Sequence, residues 1–248
     1  MRRSLVIVAS TILMTSWFAA CKSGTTNPTT PPDYMPMSEG NYWVYESYDL
    51  DSTGNRTGQA TYDSVVVGAA LQLSGRTASP FYHFYSDGSK DTLYFSKDAD
   101  GNLWQYFTFE IGDLASSVSN PPTIPPRWVK VASVGSETSW TILDTTFTDI
   151  QVQGQPITFN LTVKVTISKA GTESVTVGGK SYTAQKFSWK TDLIPSLPLF
   201  TASFTATDWA VSGVGYAKQT SQLEISVPML GMSTKSGTES TLLRYSVR

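Results

Sequence analysis

Thiol and imidazole groups, which carry much of enzyme chemistry, are almost absent from this sequence, which has one cysteine, Cys21, and one histidine, His83. A zinc centre needs several Cys or His ligands. A serine hydrolase would need a nucleophile motif such as G-x-S-x-G, and neither that motif nor S-x-x-K occurs. His83 lies in PFYHFYS, on the same face of a predicted strand as Phe81 and Tyr85. We therefore expect His83 to be an ordinary part of a sheet, with no metal site.

Acidic side chains could still do chemistry in pairs, because glycosidases use two carboxylates about 5–10 Å apart. The sequence alone does not decide whether any two candidates face each other across a sheet. Solvated carboxylates on strand faces are the simpler interpretation, so we predict no catalytic residue and no enzyme activity. The candidates on predicted strands are Glu46, Asp144, Asp208 and Glu224.

Two turn segments resemble fragments of calcium loops: residues 49–55, DLDSTGN, and residues 98–102, DADGN. Aspartates two residues apart and followed by glycine can place oxygens around Ca²⁺. The full motif, with glutamate at the twelfth position, is missing from both segments. Asp and Gly are also the preferred residues of hairpin turns. We favour hairpin turns, with calcium binding as the alternative, and we predict no cofactor because a Gly-rich phosphate loop is also absent.

Aromatic residues are plentiful and could line a groove for sugars or lipids. Core packing and cross-strand pairing are the favoured explanation for most of them. The groove candidates are Trp43, Tyr45, Tyr82, Phe84, Trp104, Tyr106 and Trp189.

The first 21 residues have the pattern of an export signal. Two arginines, Arg2 and Arg3, precede a mostly apolar run from Leu5 to Ala20, and Cys21 follows directly. The apolar run has about 16 residues, fewer than the roughly 20 of a membrane-spanning helix. A transmembrane anchor is thus one alternative, and ordinary cleavage after Ala20 with plain secretion is another.

A cysteine directly after small residues makes this segment resemble the signal peptide of bacterial lipoproteins. Phe18 stands where that family prefers leucine, three residues before the cysteine. The resemblance implies that residues 1–20 are removed and that Cys21 carries a lipid at the new N-terminus. Lys22 follows, where the family's inner-membrane retention signal is usually aspartate, so the resemblance implies sorting to the outer membrane.

Charge and cysteine content restrict the function classes further. Without the two signal arginines, 16 basic residues face 20 acidic ones, a net charge near −4. Such a balance argues against nucleic-acid binding, which needs a basic surface. A single cysteine forms no internal disulfide, so the exported domain must rely on its hydrophobic core.

Residues 21–36 are polar and rich in Ser, Thr and Pro, and we interpret them as a flexible tether. Residues 37–248 alternate in the manner of strands and are predicted to form one β domain. The clearest strand lies in 157–167, and a Pro-rich loop at 119–127 is expected between two halves. The predicted inward residues of that strand are Ile157, Phe159, Leu161, Val163, Val165 and Ile167.

We predict an all-β fold, namely a large, strongly curved antiparallel sheet or open barrel, with a plan of two similar half-sheets as one alternative. A sequence repeat suggests the halves, because SVVVG at 64–68 recurs as SVTVG at 174–178. Each copy follows a glycine and a tryptophan-bearing strand, Gly40 with Trp43 and Gly135 with Trp140.

Two short motifs at the ends of the domain, GNYWVY at 40–45 and WAVSGVGYAK at 209–218, resemble a pattern of uncharacterised exported bacterial β-rich lipoproteins. The resemblance implies a large antiparallel sheet and no known activity. We therefore predict a membrane-anchored envelope lipoprotein with a non-enzymatic binding or structural role. The alternatives are a carrier of an apolar ligand and a carbohydrate-binding or carbohydrate-active protein, so the possible ligands are lipid or glycan.

Overall fold

A computed structural model describes residues 31–109, 118–121, 123–198, 200–228 and 231–248. These residues form thirteen β-strands and no α-helix, and none of their segments is a helix able to cross a membrane. The strands are β1 Tyr42–Leu50, β2 Arg56–Val67, β3 Leu71–Leu73, β4 Arg76–Phe84, β5 Lys90–Lys97, β6 Leu103–Phe109, β7 Ile124–Ala132, β8 Ser139–Gln151, β9 Thr158–Val177, β10 Lys180–Pro195, β11 Thr201–Val211, β12 Gly215–Val227 and β13 Met232–Ser246.

Twelve strands follow one another in a single antiparallel sheet, in the order β7-β6-β5-β4-β2-β1-β13-β12-β11-β10-β9-β8, and β3 pairs with β4 alone. The two edge strands, β7 and β8, are consecutive in the chain. Side chains bridge them: the Trp140 indole N–H donates to the Lys130 carbonyl over 2.7 Å. Arg127 similarly donates to the Ile142 carbonyl over 3.2 Å. The sheet is thus a nearly closed barrel, which confirms the predicted fold class.

Proline appears where the sequence suggested a loop. Residues 119–127 were predicted to be non-strand, yet β7 begins at Ile124 and includes Pro125 and Pro126. That part of the prediction is wrong because β7 is an edge strand. Proline is tolerated on an edge, where a missing N–H removes no ladder hydrogen bond.

One end of the barrel, which we call the closed end, holds the turns at 98–102, 178–179 and 212–214. Its inner face is filled by aromatic side chains that are almost fully buried, among them Trp43, Phe81, Phe95 and Phe187. The Trp43 and Phe81 ring centroids lie 5.8 Å apart, and those of Phe81 and Phe95 lie 4.9 Å apart. The Trp43 indole donates to the Val214 carbonyl over 2.6 Å, which ties β1 to the turn after β11.

An N-terminal strap, Asp33–Met37, crosses the closed end. The Asp33 carboxylate pairs with Lys97 over 2.6 Å, and its carbonyl accepts from the Gly213 amide over 2.7 Å. Met35 is 6 % exposed, and the Tyr34 ring meets that of Phe187 edge-on at 5.4 Å. The tether predicted for residues 21–36 is therefore too long at its C-terminal end, since Asp33–Pro36 pack as part of the compact unit Pro31–Arg248.

A second core lies towards the opposite end of the barrel, on β8, β9 and β10. Phe159, Leu161, Val163 and Val165 belong to this second core, whereas Ile167 belongs to the closed-end core, and all five are buried, as their alternation predicted. The sixth predicted residue, Ile157, precedes β9 and is half-buried. Ring contact between Phe159 and Phe200, at 6.3 Å, extends this core to the β10–β11 connection.

The repeated sequence segments occupy equivalent places. Residues 64–68 end β2 and residues 174–178 end β9, both at the closed end. Each of these strands pairs with the preceding tryptophan-bearing strand, β1 or β8, and with the following aromatic strand, β4 or β10. The two segments therefore occupy corresponding positions in the strand order.

Candidate functional site

A row of polar side chains crosses the inner face of the sheet directly beyond the closed-end core. We call it the inner belt, and it consists of Asp208, Gln219, Ser240, Ser47 and Asp63. Register places the first four side by side on β11, β12, β13 and β1. Asp63 stands diagonally next to Ser47 on β2. Polar residues thus interrupt the apolar inner face at one level in five neighbouring strands.

Hydrogen bonds join the belt in two groups. The Gln219 amide donates to Asp208 Oδ1 over 2.9 Å. The Ser47 and Ser240 hydroxyls lie 2.8 Å apart, and Ser47 Oγ also donates to Asp63 Oδ2 over 3.2 Å. The second group ends at the Ser86 amide, which donates to Asp63 Oδ1 over 3.3 Å. Because each hydrogen bond between belt residues joins two neighbouring strands, the belt supports the register of the sheet.

Asp208 is the most deeply buried member of the belt, with 8 % of the residue exposed. Its Oδ2 accepts the Trp189 indole N–H over 2.8 Å. Burial raises the pKa of Asp208 to about 6, although the hydrogen bonds from Gln219 and Trp189 act in the opposite direction. Burial, and then the charge of Asp208, raises the pKa of Tyr45, whose hydroxyl donates to the Tyr216 carbonyl over 3.1 Å.

Beyond the belt, towards the other end of the barrel, the inner face is only partly covered. We call this the open end; its turns include 51–55, 85–89 and 152–157. Phe204 on β11 and Leu223 on β12 are direct cross-strand partners on the inner face, and they are 38 % and 37 % exposed. The small residues Ala206 and Ser221 form the next pair, between them and the belt. Within the described residues, the exposed apolar side chains of Phe204 and Leu223 beside small neighbours leave space over this part of the sheet.

We call this region the inner trough and define it by Ala202, Phe204, Ala206, Ser221, Leu223 and Ile225. Its β13 side carries hydroxyl groups at Thr234, Ser236 and Thr238, and the Ser221 and Thr238 hydroxyls lie 2.8 Å apart. Its β10 side borders the second core through Leu193, the partner of Ala202. The trough therefore has an apolar floor, an apolar side at β10 and a hydroxyl-bearing side at β13. The belt bounds the trough on the side of the closed end.

His83 lies on the inner face of β4, opposite Asp91 of β5. Burial lowers the pKa of His83, while the nearby carboxylates of Asp91 and Asp63 act to raise it. Its ring stacks near that of Tyr85 with centroids 6.2 Å apart. This setting matches the predicted place in a sheet, and none of the hydrogen bonds found in the described residues brings a Ser hydroxyl to the imidazole.

The four candidate carboxylates lie in different settings. Asp208 is inside the barrel, whereas Glu46 accepts a hydrogen bond from the exposed Tyr62 hydroxyl over 3.2 Å. Asp144 lies 3.8 Å from Lys164 on the exterior. Glu224 is on the outer face of β12, in a shallow depression that also includes Asp192 and Ser203. No hydrogen bond or ion pair within the described residues joins any two of these four.

The aspartates of the two turns accept hydrogen bonds from residues of their own hairpins. Asp51 Oδ1 accepts from the Thr53 and Asn55 amides, each over 2.9 Å. Asp98 accepts from the Asn102 amide over 2.9 Å and from the Trp104 indole over 2.9 Å. The hydrogen bond from the Thr53 hydroxyl, and then those from the amides, lower the pKa of Asp51. Burial acts to raise the pKa of Asp98, but the hydrogen bonds from Trp104 and Asn102 together outweigh burial and lower it. Both segments adopt the favoured hairpin-turn structure, and the described ranges contain no cluster of three metal-ligating side chains.

The seven candidate aromatics do not line one groove. Trp43, Tyr45 and Trp189 point inward, the first into the closed-end core and the other two next to the belt. Tyr82 and Phe84 are exposed on the outer face, at 41 % and 37 %. Trp104 and Tyr106 are also on the outer side, where Arg76 lies 4.1 Å above the Trp104 ring. Core packing thus accounts for Trp43, whereas only Tyr45 and Trp189 approach the candidate site.

Sequence reasoning missed most of the belt, because Gln219, Ser240, Ser47 and Asp63 belong to no motif. A signal was nevertheless present: Ser47 shares its strand face with Trp43 and Tyr45. A polar residue on an otherwise apolar face is a departure from strand patterning. The predicted lipid site, Cys21, lies outside the described residues.

Comparison with known proteins adds two distant structural matches. No family model and no curated protein matches the sequence. A crystal structure described as a candidate lipoprotein of Parabacteroides distasonis aligns with 88 % of this chain and 100 % of its own, at 13 % identity and a TM-score of 0.46. A candidate exported protein with a YmcC-like fold from Bacteroides fragilis aligns with 87 % of this chain and 99 % of its own, at 13 % identity and a TM-score of 0.38.

Proposed function

We propose that this chain is an envelope lipoprotein whose β domain binds an amphipathic ligand of the acyl-chain type in the inner trough, without catalysis. One observation carries the proposal: Phe204 and Leu223 face inward and yet remain more than a third exposed. The closed end of the same inner face is filled by buried aromatic residues. Because the inner face is packed at one end and uncovered at the other, we expect a ligand to occupy the uncovered part.

The shape of the apolar surface favours an extended chain over a bulky ring system. Only β11 and β12 supply the apolar floor, through Phe204, Leu223 and Ile225 with small alanines between them. An acyl chain that leaves water gains about 0.8 kcal/mol for each buried CH₂ group. A narrow apolar strip of this kind therefore supplies useful affinity to a linear ligand.

The belt offers hydrogen bonds to the polar end of such a ligand. The carbonyl oxygen of the Gln219 side chain accepts no hydrogen bond from the described residues. The serine hydroxyls of the belt can donate or accept. Asp208, buried beside them, already has two donors and mainly orients Gln219 and Trp189. A head group with both donors and acceptors suits this chemistry.

The non-catalytic part of the proposal is supported by what surrounds the ionisable groups. General acid–base catalysis needs a group within hydrogen-bond reach of the reacting proton, often assisted by a second group. Among the four candidate carboxylates, Asp208 alone lies inside the barrel, and its hydrogen bonds are to Trp189 and Gln219. His83 stands beside aspartates and a tyrosine on another part of the inner face.

The anchor part of the proposal rests on the sequence of the export segment. We propose that lipid on Cys21 attaches the domain to the outer membrane, with Lys22 permitting that sorting. Stable attachment needs two or more acyl chains, because one chain gives only marginal binding. Changing Cys21 to Ala should move the protein from the membrane fraction to the soluble fraction. A variant that stays in the membrane with an uncleaved signal would support a transmembrane anchor instead.

The binding part is tested by purifying the domain, residues 22–248, from its host and identifying co-purifying molecules by mass spectrometry. We expect an amphipathic molecule with the wild type and its loss from a variant carrying Phe204→Ser and Leu223→Ser. The matched control carries Phe84→Ser and Ile194→Ser, two outward residues that are 37 % and 55 % exposed. Equal ligand recovery from both variants would contradict the proposal, as would turnover of an ester or glycoside that depends on Asp208.

Carbohydrate binding is a second candidate, favoured by a different surface. Tyr42, Tyr62, Tyr82 and Phe84 are exposed on the outer face of β1, β2 and β4, each by 37–54 %. Exposed aromatic faces can stack on sugars. Binding of envelope glycans that is lost with Tyr82→Ser and kept with Phe204→Ser would favour this candidate over the trough.

A further inference from the structure

The N-terminal strap fixes where the anchored segment enters the domain. Asp33 is held from two sides, by the Lys97 side chain of β5 and by the Ser212–Gly213 turn between β11 and β12. The Asp33 amide donates to Ser212 Oγ over 3.1 Å, and Met35 is buried below it. The entry point is thus the closed end of the barrel.

We infer that the closed end is the face that the domain presents to the anchoring membrane, and that the inner trough opens away from that membrane. This inference rests on the proposed lipid anchor at Cys21. Its consequence is that the ligand enters from the aqueous compartment on the far side of the domain. Uptake directly from the anchoring bilayer is then disfavoured.

Chain length decides between the two orientations. Eleven residues lie between Cys21 and Asp33, and the twelve Cα–Cα steps of this segment reach about 40 Å at full extension, against about 20 Å for the average of a random coil. Strand β12 has 13 residues, which gives a barrel height of about 33 Å when its strands are tilted by about 40°. In an inverted domain the tether would have to run along the whole barrel. That path would require most of the tether's fully extended length. The upright orientation needs no such stretching.

The strap strengthens this argument because it removes residues from the tether. If Asp33–Met37 were free, the chain between Cys21 and the sheet would be longer and inversion would be less costly. Asn41 also secures the segment: its side-chain amide donates to the Pro36 carbonyl over 3.2 Å, and its oxygen accepts from the Arg248 amide over 3.0 Å. The strap therefore limits orientation as well as sealing the barrel.

The test uses the full lipidated protein in phosphatidylethanolamine–phosphatidylglycerol vesicles that contain lipids with nitroxide-labelled head groups. A single fluorophore is attached through Lys180→Cys, at the closed end, or through Gln153→Cys, at the open end; both side chains are exposed. Cys21 does not react, since its sulfur carries the lipid. We expect several-fold stronger quenching at residue 180 than at residue 153. Equal quenching, or stronger quenching at residue 153, would overturn the inference.

A strap variant provides the second readout. Tyr34→Ala with Met35→Ala should loosen the strap and reduce the difference between the two positions, whereas Met232→Ala, at an exposed open-end residue, should leave it unchanged. An undiminished difference with a demonstrably released strap would also contradict the inference. Failure of the anchor itself is distinguishable, because a protein without lipid would not associate with the vesicles at all.

Discussion

The inner face of the sheet is packed with side chains at one end of the barrel and is partly exposed at the other. At the closed end, aromatic rings from β1, β4, β5 and β10 and the strap fill the space, and Trp43, Phe81 and Phe187 are each 1 % exposed. At the open end the apolar pair Phe204 and Leu223 remains accessible beside hydroxyl groups. The inner belt separates the two regions. The difference indicates that the aromatic packing of the closed end contributes more to stability than the exposed pair does, and the proposed ligand site lies at the open end.

The largest expected effect comes from truncating the closed-end core. Phe187→Ala removes a ring that contacts those of Tyr34 and Trp140 and should lower the free energy of unfolding by about 3–5 kcal/mol. The matched open-end change, Phe204→Ala, should lower it by less than about 1 kcal/mol, because the ring is already partly in water. Urea denaturation of both variants measures this contrast. Equal losses would show that the open end is packed as a core in solution.

The next effect concerns the belt and depends on pH. The folded-state pKa of Asp208, about 6, lies above its ordinary value of 3.8, so the folded protein binds this proton more tightly than the unfolded chain. The stability that protonation contributes is fully present below pH 4 and is lost as the pH rises through 6. The loss is about 3 kcal/mol at most.

Asp208→Asn cannot ionise, so this variant should be more stable than the wild type at pH 7.5 and should lose the dependence between pH 4 and 6. Asn keeps one oxygen to accept the Trp189 indole, which preserves part of the original hydrogen bonding. Urea denaturation across pH 4–8 gives the profile, and Asp144→Asn, an exposed change, is the control. Parallel profiles for Asp208→Asn and the wild type would show that Asp208 titrates normally.

Substitution of two methionines tests the same contrast between the two ends, with a smaller expected loss of unfolding free energy. Met35 in the strap is 6 % exposed and Met232 near the open end is 54 % exposed. Met35→Ala should cost about 2 kcal/mol of unfolding free energy, whereas Met232→Ala should cost close to none. Hydrogen exchange provides a local readout, since the Gly213 amide donates to the strap carbonyl of Asp33. Unchanged protection of that amide in Met35→Ala would mean that the strap is held by other contacts.

The smallest effect is expected for the only histidine. His83 stays neutral near pH 7 because burial lowers its pKa. His83→Gln should therefore leave ligand recovery unchanged and alter the unfolding free energy by less than about 1 kcal/mol. Mass spectrometry of the purified variant checks the first point. Loss of the ligand with intact folding would assign His83 to the site.

Alternation along the chain predicted the strands well because each strand has one buried face. Strand β9 is the clearest case: Leu161, Val163 and Ile167 are fully buried and the intervening residues are largely exposed or half-buried. The curved antiparallel sheet followed from the same pattern. Its closure could not be predicted, because contacts such as Trp43 to Val214 join residues 171 positions apart.

Local composition misled the interpretation at two places where tertiary contacts decide the outcome. The strap is rich in proline and polar residues, so two apolar anchors, Tyr34 and Met35, did not stand out from the tether. Pro125 and Pro126 suggested a loop, and only the edge position of β7 makes them acceptable in a strand. The sequence did not reveal the belt because it consists of single residues on separate strands.

The most direct test of the account locates a ligand against a tryptophan. Trp189 pairs with Ala206 of the trough and donates to Asp208, whereas Trp104 stacks with Arg76 on the outer side. Titration with a fatty acid that carries bromine on its acyl chain should quench part of the tryptophan fluorescence of the domain, because bromine quenches only at contact. The account predicts that Trp189→Phe abolishes this quenching and that Trp104→Phe leaves it intact. Quenching that survives in Trp189→Phe, or that disappears in Trp104→Phe, would contradict a ligand site in the inner trough.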